Sequence, residues 1–491
     1  MLRNWRLRVL SAALVLGVAA FWLFAADGTT RKVQRESASK AEQQGNFRDA
    51  YETFRKLALD PADDASEVGN DLTHAINCLQ NLRRDDETDD FREGVIAAHK
   101  GNWRLLNTAA RTYQEGEHLG YIIAGKFSRG WRRAGGRFVS SVYRDRVRAL
   151  QLMRQALPLV KNEKDRGSVA SYYFHFADVF LNGAGYYEKW RLQSLTDLAQ
   201  LPDYGEGWGY GGTARGAPVE ANGEPVYYRV PKSYEASQND GQRWRWMLVQ
   251  AVEHDPGRAS EADMVLANFV RGQLGVQTMA QHGRRFGGGS DKEDTSGTYA
   301  LHTLTDDETI ARLATGTKRF KVPDEFNWIK IYERVVARGK HPNGEQARDA
   351  LAGEYEDRRQ YVRSAEAWKK AIDEYGPGQN NYRQQRLDQI VGNWGRFEPG
   401  EVQPAGAKAT ADFRYRNGNK VSFEARPIDV AKLLEDVKSY LKSNPGNQLN
   451  GNKINIQNIG YRLVAENETG YLGEKAAAWD MGLKPPAGHV D

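Results

Sequence analysis

Eight arginines lie between Ser128 and Arg154, where the sequence begins SRGWRRAGGRFVSSVYRDRVRALQLM. Arginine presents five N–H donors in a planar fork that matches phosphate and carboxylate oxygens. A basic cluster of this density is one signature of a site for phosphate or nucleic acid. The arginines are Arg129, Arg132, Arg133, Arg137, Arg144, Arg146, Arg148 and Arg154, and the one acid among them is Asp145.

The charge of the whole chain argues against a nucleic-acid function. The formal net charge is +5, and Arg3, Arg6 and Arg8 contribute three of these charges, which leaves +2 for the remainder. A nucleic-acid-binding domain keeps a lasting basic excess. We therefore expect the arginines to be solvated, paired with acids, and placed beside a helix that begins after a Gly-rich turn. Apolar residues recur there at helical spacing: Val142, Tyr143, Val147, Leu150, Met153 and Leu157.

The remaining residues that could do chemistry form no recognisable site. No two of the nine histidines are three or four residues apart, which disfavours a helical zinc site, and we expect His254 and His282 to be surface residues. Gly209, Gly211 and Gly212 lack the lysine-serine pair and the strand-to-helix context of a phosphate loop. The sequence therefore predicts no catalytic, cofactor-binding, metal-binding or thioester residue, and no enzyme.

Cys78 is the only cysteine, so no intrachain disulfide is possible. It lies in DLTHAINCLQNL, where an apolar helical face is marked by Leu72, Ala75, Leu79 and Leu82. We expect a buried and unreactive thiol.

The first 26 residues predict export. Three arginines precede an uncharged apolar run from Val9 to Ala26. The length of this run lies between a secretory signal core and a membrane-spanning helix of roughly 17 to 25 residues, so it is either a cleaved signal peptide or an N-terminal anchor. Its end is a poor cleavage site, which favours the anchor, with Met1–Arg8 in the cytoplasm. We expect the remainder to lie in the periplasm or cell envelope, and an exported chain without disulfides is typical of bacteria.

The region 37–396 has a helical pattern with two more specific units. AEQQGNFRDAYETFRKLALDP, which ends at Pro61, and ALAGEYEDRRQYVRSAEAWKKAIDEYGPG, which contains Ser364 where alanine is usual, both resemble tetratricopeptide repeats. Two such units cannot bury their faces alone, so we expect degenerate helical pairs to complete a solenoid. Helices at ASYYFHFADVFLNG and GQRWRWMLVQAVEHDP are predicted as one source of such pairs.

Two segments interrupt the helical region. Residues 201–234 are rich in Gly and Pro and fit no helix, although Tyr227, Tyr228 and Val230 suggest a short strand. Residues 282–300 have the composition of a mobile loop.

A linker at 397–411 separates the helical region from a β domain at 412–491. DFRYRNGNKVSFEA alternates around Asn417-Gly418, which predicts a β-hairpin. A helix follows with Val430, Leu433, Leu434, Val437 and Leu441, and a further strand is predicted at IGYRLVA. These elements do not close a sandwich, so we expect either that the chain is part of a longer protein or that something else completes the sheet.

The export signal, SRGWRRAGGRFVSSVYRDRVRALQLM, NDGQRWRWMLVQA, the tetratricopeptide-like units and FRYRNGNKVSFEARPIDVAKLLEDVKSYLKS together resemble the N-terminal region of bacterial α2-macroglobulin-like proteins of the planctomycete type. The resemblance runs along most of the chain. It implies a mainly α fold, in which a helical leader precedes the start of a first macroglobulin domain.

In that family a protease cuts a bait segment, and a thioester from a Cys-x-Glu-Gln motif then attaches the protease. Here Leu79, Gln80 and Asn81 follow Cys78, so that motif is absent and we expect no protease trapping by this chain alone. Two functions stand: the N-terminal scaffold of an envelope-located endopeptidase inhibitor, or a free-standing tetratricopeptide-type adaptor that binds a protein partner in the envelope. Neither requires a cofactor.

Overall fold

The computed structural model describes residues 30–131, 135–181, 192–207, 216–279, 299–398, 410–443 and 469–490, and a few single positions between 400 and 463. The protein is mainly helical, as predicted, and carries a few small antiparallel sheets. It divides into two compact units, one up to Ala347 and one from Arg348. The segment predicted for export at residues 1–26 lies outside the described residues, and none of the described helices has the length and apolar character needed to cross a membrane.

The described α-helices of the N-terminal unit lie between residues 30 and 337. They are α1 (30–43), α2 (Phe47–Ala58), α3 (Val68–Asn81), α4 (Thr88–Ala98), α5 (Trp103–Glu115), α6 (Val142–Val160), α7 (Arg166–Leu181), α8 (Asp240–His254), α9 (Ala259–Leu274) and α10 (Trp328–Ala337). Successive helices pack in pairs: α2 on α3, α5 on α6, α7 on α8, and α9 on α10. The helices predicted at the two aromatic-rich segments are therefore confirmed as α7 and α8, and the structure shows that they pack against each other.

Small side chains let these helices approach closely. In α2, Ala50 and Ala58 are fully buried beside the ring of Phe54, and Pro61 lies just beyond the end of the helix. In α6 the predicted stripe is buried at Val147, Leu150, Met153 and Leu157. Helical periodicity in the sequence therefore identified the packed faces of both helices.

A four-stranded antiparallel sheet interrupts the helical region that the sequence predicted at 37–396. Its strands are β1 (Leu119–Ile123), β2 (Lys126–Arg129), β3 (Arg137–Ser140) and β4 (Gly205–Glu206), in the order β2-β1-β3-β4. Ala124 and Gly125 join β1 to β2 with φ of 48° and 81°, the positive pair that suits the twist of a two-residue hairpin. A second hairpin consists of β5 (Glu308–Leu313) and β6 (Gly316–Lys321).

The Gly- and Pro-rich segment 201–234 has no α-helix in its described part, as predicted, but the strand predicted at Tyr227–Val230 is wrong. The ring of Tyr227 lies 4.8 Å from that of Phe326, and the ring of Tyr228 lies 6.2 Å from that of Phe269. These aromatic residues therefore pack against neighbouring elements and do not alternate between two faces of a sheet. Most of the loop predicted at 282–300, and Gly209, Gly211 and Gly212, lie outside the described residues.

The helical part of the C-terminal unit centres on Trp368. Three helices lie in sequence around it: α11 (Pro342–Asp357), α12 (Tyr361–Tyr375) and α13 (Tyr382–Val391). Trp368 is 1% exposed and packs in a cluster with Ala352, Ala365, Ala371, Leu387 and Ile390. Ser364, fully buried, donates its hydroxyl to the carbonyl oxygen of Ala352 at 2.9 Å. A serine is thus accommodated where alanine is usual, because its hydroxyl has a partner.

The strands of the C-terminal unit form two separate two-stranded antiparallel sheets. β7 (Trp394–Phe397) pairs with β8 (Phe413–Arg416), and β9 (Lys420–Ala425) pairs with β10 (Ala477–Gly482). The helix predicted after β9 is confirmed as α14 (Val430–Lys442). At IGYRLVA, the two described positions, Ile459 and Leu463, are helical and not extended.

The strands predicted on either side of Asn417-Gly418 are correct, but their pairing with each other is wrong. Asn417 has a φ of 61° and donates its side-chain amide to the carbonyls of Ile390 and Gly392, each at 2.8 Å. The turn is thereby held against the end of α13. β8 therefore pairs with the preceding strand β7, and β9 pairs with β10 near the end of the described chain.

Candidate interaction surface

A row of four aromatic rings crosses the two small sheets of the C-terminal unit. Phe397 on β7 and Phe413 on β8 have ring centres 5.3 Å apart, Phe413 and Phe423 on β9 are 5.1 Å apart, and Phe423 and Trp479 on β10 are 5.3 Å apart. These four residues are called the aromatic row below. Its spacings are those at which aromatic pairs attract each other. The row therefore links the two sheets by side-chain contact.

The aromatic row is only partly shielded from solvent. Phe397 is 59% exposed and Trp479 is 48% exposed, while Met481, on the same strand as Trp479, is 49% exposed. Single exposed apolar residues are ordinary on a protein surface, but a contiguous group of large ones marks an interaction site.

Helix α14 adds further exposed apolar surface to this unit. Its apolar residues recur at the predicted spacing, yet only Leu433 is buried. Val430 is 53% exposed, Leu434 is 40% exposed and Leu441 is 49% exposed. An amphipathic helix of this kind normally buries its apolar stripe, so this stripe is available to another surface.

Charged residues flank the apolar surface in pairs. Lys420 and Asp480, on β9 and β10, form an ion pair of 2.7 Å, and Glu424 contacts Arg426 and Lys475. Within the described part of the chain, each of the four strands has a single partner strand, so each presents one row of unpaired backbone groups. Apolar rings, paired ions and free strand edges together suit contact with another β-sheet.

The arginine cluster in the N-terminal unit differs from its prediction. Pairing with acids is confirmed, because Arg148 binds Glu93 at 2.7 Å and Arg129 binds Asp145 at 2.8 Å. Solvation is wrong for Arg129 and Arg146, which are 5% and 9% exposed. The side chain of Arg137 is 61% exposed, while Arg132 and Arg133 lie outside the described residues.

The buried charges are satisfied by residues that the sequence does not bring together. Arg129 binds Asp145 through both terminal nitrogens, at 2.8 and 3.0 Å, and also binds Asp89, which lies 40 residues earlier. Burial raises the pKa of Asp145, but hydrogen bonds and charge from His118 and Arg129 outweigh it and lower the pKa to about 2. A carboxylate that stays ionised inside the protein is the expected partner of a buried arginine.

Ser141, His118 and Asp145 lie together but do not form a nucleophilic triad. The Ser141 hydroxyl donates directly to Asp145 at 2.6 Å, and His118 Nδ1 lies 2.8 Å from the same carboxylate. His118 Nε2 faces the carbonyl of Gln114 at 3.1 Å, so no imidazole nitrogen is placed to accept a proton from the serine. Ser141 is also 1% exposed. The cluster joins β2 and α4, through Arg129 and Asp89, to the first turn of α6 at Asp145, and it does not activate a hydroxyl.

Three other residues were considered for chemistry, and the structure describes two of them, Cys78 and His254. Cys78 is fully buried, as predicted, and burial raises the pKa of its thiol to about 11. His254 is half-buried and stacks on Tyr173 with ring centres 5.4 Å apart. His282 lies outside the described residues. Within the part of the chain that the structure describes, no group of three or more His, Cys, Asp or Glu side chains is arranged to hold a metal ion.

Sequence reasoning identified only part of the aromatic row. The alternation in β8 and β9 marked Phe413 and Phe423 as facing one side. Phe397 and Trp479 enter the row only through the pairing of β7 with β8 and of β9 with β10. No protein-family model and no curated protein matches this chain.

Proposed function

We propose that this chain is the N-terminal scaffold of an envelope-located α2-macroglobulin-like protease inhibitor, a tetratricopeptide-like solenoid followed by a partial β-sandwich. The observation that carries the proposal is the exposed aromatic row of the C-terminal unit. In a sandwich, the inner face of one sheet packs about 10 Å from a second sheet. The aromatic row has the composition of such an inner face without its cover.

The energetics favour a covering sheet. A large aromatic side chain buries about 150–250 Å² when it is fully enclosed, and apolar burial stabilises by about 25 cal/mol per Å². Phe397 and Trp479 are each about half exposed. Covering each ring would therefore stabilise the assembly by about 2–3 kcal/mol. The free strand edges favour a β partner over a helical one, because an added strand also pairs the backbone groups.

The helical hairpins support the scaffold role. Close packing in the hairpin of α11 and α12 depends on small residues, with Ala352 and Ser364 in direct hydrogen-bonded contact. The same use of small residues at Ala50 and Ala58 in α2 is typical of tetratricopeptide repeats. Residues 1–26 would anchor the scaffold to the membrane, and the bait and thioester would belong to downstream domains. The buried Cys78 is not suited to a thioester role.

A second candidate is a free-standing tetratricopeptide-type adaptor that binds a protein partner in the envelope. The hairpin around Trp368 favours it, since this core needs no further domain to bury its tryptophan. In that case the aromatic row would receive a separate protein.

The experiment that separates the two is to read the gene beyond the codon for Asp491 and to measure the mass of the native product. We expect the frame to continue through further β-domains to a Cys-x-Glu-Gln motif, and the product to exceed the 55.3 kDa of this chain. A stop codon after Asp491, with a native product of 55.3 kDa or less, would contradict the inhibitor and leave the adaptor.

A further inference from the structure

A polar cavity of about 330 Å³ lies inside the N-terminal unit. It is bounded by α4, α5, β2, α6 and the segment 201–204. One water molecule occupies about 30 Å³ of liquid, so the cavity has room for a small molecule. Its wall carries three arginines, Arg129, Arg144 and Arg148, and three acids, Asp89, Glu93 and Asp145.

Two of the three arginines are fully committed to the acids of the wall. Arg129 binds both Asp89 and Asp145. Arg148 binds both oxygens of Glu93, at 2.8 and 2.7 Å. Since each carboxylate already accepts from an arginine, the wall has no acid left over for a further cation.

Arg144 is the arginine without a carboxylate. Among the described residues, no acid lies within 4.0 Å of its guanidinium, and its one hydrogen bond is from Nη1 to the carbonyl of Pro202 at 3.0 Å. Arg92 adds another cation beside the wall, 3.6 Å from Asp89. Arg92 does not itself line the cavity, and the three arginines of the wall balance its three acids. Arg144 is nevertheless the arginine of the wall that pairs with no carboxylate among the described residues, so a bound anion would be stabilised mainly by Arg144.

Tyr204 also lines the cavity, and its ring lies against Arg144. The guanidinium carbon of Arg144 lies 4.9 Å from the centre of the Tyr204 ring, and that ring stacks on Phe127 with centres 4.6 Å apart. The Tyr204 hydroxyl has no hydrogen-bond partner among the described residues. The cavity therefore offers a guanidinium fork, a phenolic donor and an aromatic surface together.

We infer that this cavity binds a small organic molecule with a single carboxylate, held by Arg144 and Tyr204. A carboxylate matches the guanidinium fork in shape. A phosphate carries more charge, and the three acids of the wall would repel it. The site is independent of the aromatic row and of the protease-inhibitor proposal, because all its residues belong to the N-terminal unit.

The test is a titration of the full chain with benzoate, followed by saturation-transfer NMR, with inorganic phosphate as competitor. We expect millimolar binding, little displacement by phosphate, and a loss of about tenfold or more in affinity for Arg144→Gln. Arg137→Gln is the matched control, since Arg137 is exposed and outside the cavity. It should bind benzoate as the unmodified chain does.

Three results would overturn the inference: no benzoate binding, binding that Arg144→Gln leaves unchanged, or displacement by phosphate at equal concentration. Displacement by phosphate would mean that the cavity binds oxyanions in general and does not select a carboxylate. If Arg144→Gln fails to fold, Tyr204→Phe tests the same site, because it keeps the ring and removes only the hydroxyl. A severalfold loss of affinity in that variant supports the inference, and unchanged affinity contradicts it.

Discussion

The two units of this protein differ in which side chains are buried against expectation and which are exposed against expectation. In the N-terminal unit, charged side chains are buried: Arg129 is 5% exposed and Asp145 is 3% exposed, and each has several partners. In the C-terminal unit, apolar side chains are exposed: Trp479 is 48% exposed and Phe397 is 59% exposed. Each arrangement reverses the usual preference of its residue types.

The two units differ in whether these unusual residues have the partners that they need within the unit. A buried arginine is tolerated only when its charge and its hydrogen-bond donors are satisfied, and Arg129 meets that condition within its unit. An exposed aromatic row is unfavourable in water until another surface covers it. The buried charges of the N-terminal unit are therefore satisfied within that unit, whereas the exposed rings of the C-terminal unit would be stabilised by a surface that covered them.

The largest effect on stability is expected from Asp145→Ala. This change removes the carboxylate shared by Arg129, His118 and Ser141 and leaves a buried charge without its main partner. We expect the free energy of unfolding to fall by about 3–5 kcal/mol. Urea unfolding followed by helical circular dichroism measures it. Arg137→Ala is the control and should cost less than about 0.5 kcal/mol, because its side chain is 61% exposed. Equal losses in the two variants would show that the buried ion pairs contribute no more to stability than an exposed arginine does.

Within the C-terminal unit, a buried and a half-exposed tryptophan can be compared directly. Trp368→Ala opens a cavity in the core of α11, α12 and α13 and should cost about 3–5 kcal/mol. Trp479→Ala removes a ring that is only about half buried and should cost less, about 2 kcal/mol. Urea unfolding of both variants gives the two values. A large loss from Trp479→Ala would mean that its ring is already enclosed.

The pH dependence of stability probes a buried neutral group in the N-terminal unit. His175 is 7% exposed between Asn107 and Gln114, and burial together with the charge of Arg111 lowers its pKa from 6.5 to about 3. Between these values the unfolded chain binds a proton that the folded chain does not. Stability should therefore fall as pH falls below 6.5, by at most about 1.4 kcal/mol per pH unit.

The variant His175→Gln should flatten this acid slope while retaining hydrogen-bonding capacity toward Asn107 and Gln114. Urea unfolding at a series of pH values between neutrality and pH 4 would show the change. An unchanged slope would show that another group is responsible.

The smallest expected effect concerns Ser364 in α12. Ser364→Ala removes one hydrogen bond to the carbonyl of Ala352 and should change the unfolding free energy by about 1 kcal/mol or less. Ser364→Leu adds bulk where the two helices touch and should cost about 1–3 kcal/mol or more. Thermal or urea unfolding ranks the two variants. If leucine is tolerated as well as alanine, the helices do not need a small residue there.

The helices were predictable because their signal is local. The apolar spacing of Leu150, Met153 and Leu157 in α6, and the small residues of α2, follow from the period of the helix alone. The same locality explains why Cys78 was correctly expected to be buried.

Strand pairing and charge pairing were less predictable, because both depend on residues that are distant in sequence. Asn417-Gly418 carried a strong hairpin signal, but side-chain hydrogen bonds to α13 redirected the turn. Arg129 binds Asp89, which lies 40 residues earlier in the sequence. The hairpin at Ala124-Gly125 is an exception: its alternation was present in LGYIIAGKFSRG and was hidden by the surrounding helical pattern.

The most direct test of the central claim, that the aromatic row lies uncovered, is hydroxyl-radical footprinting of the chain with mass spectrometry. The chain contains its own matched controls: Trp368 and Met153 are 1% and 0% exposed, whereas Trp479 and Met481 are 48% and 49% exposed. We predict that Trp479 and Met481 are oxidised many times faster than Trp368 and Met153, and that a covering β partner removes the difference. If all four side chains of the chain alone are oxidised equally slowly, the aromatic row is covered and the claim is wrong.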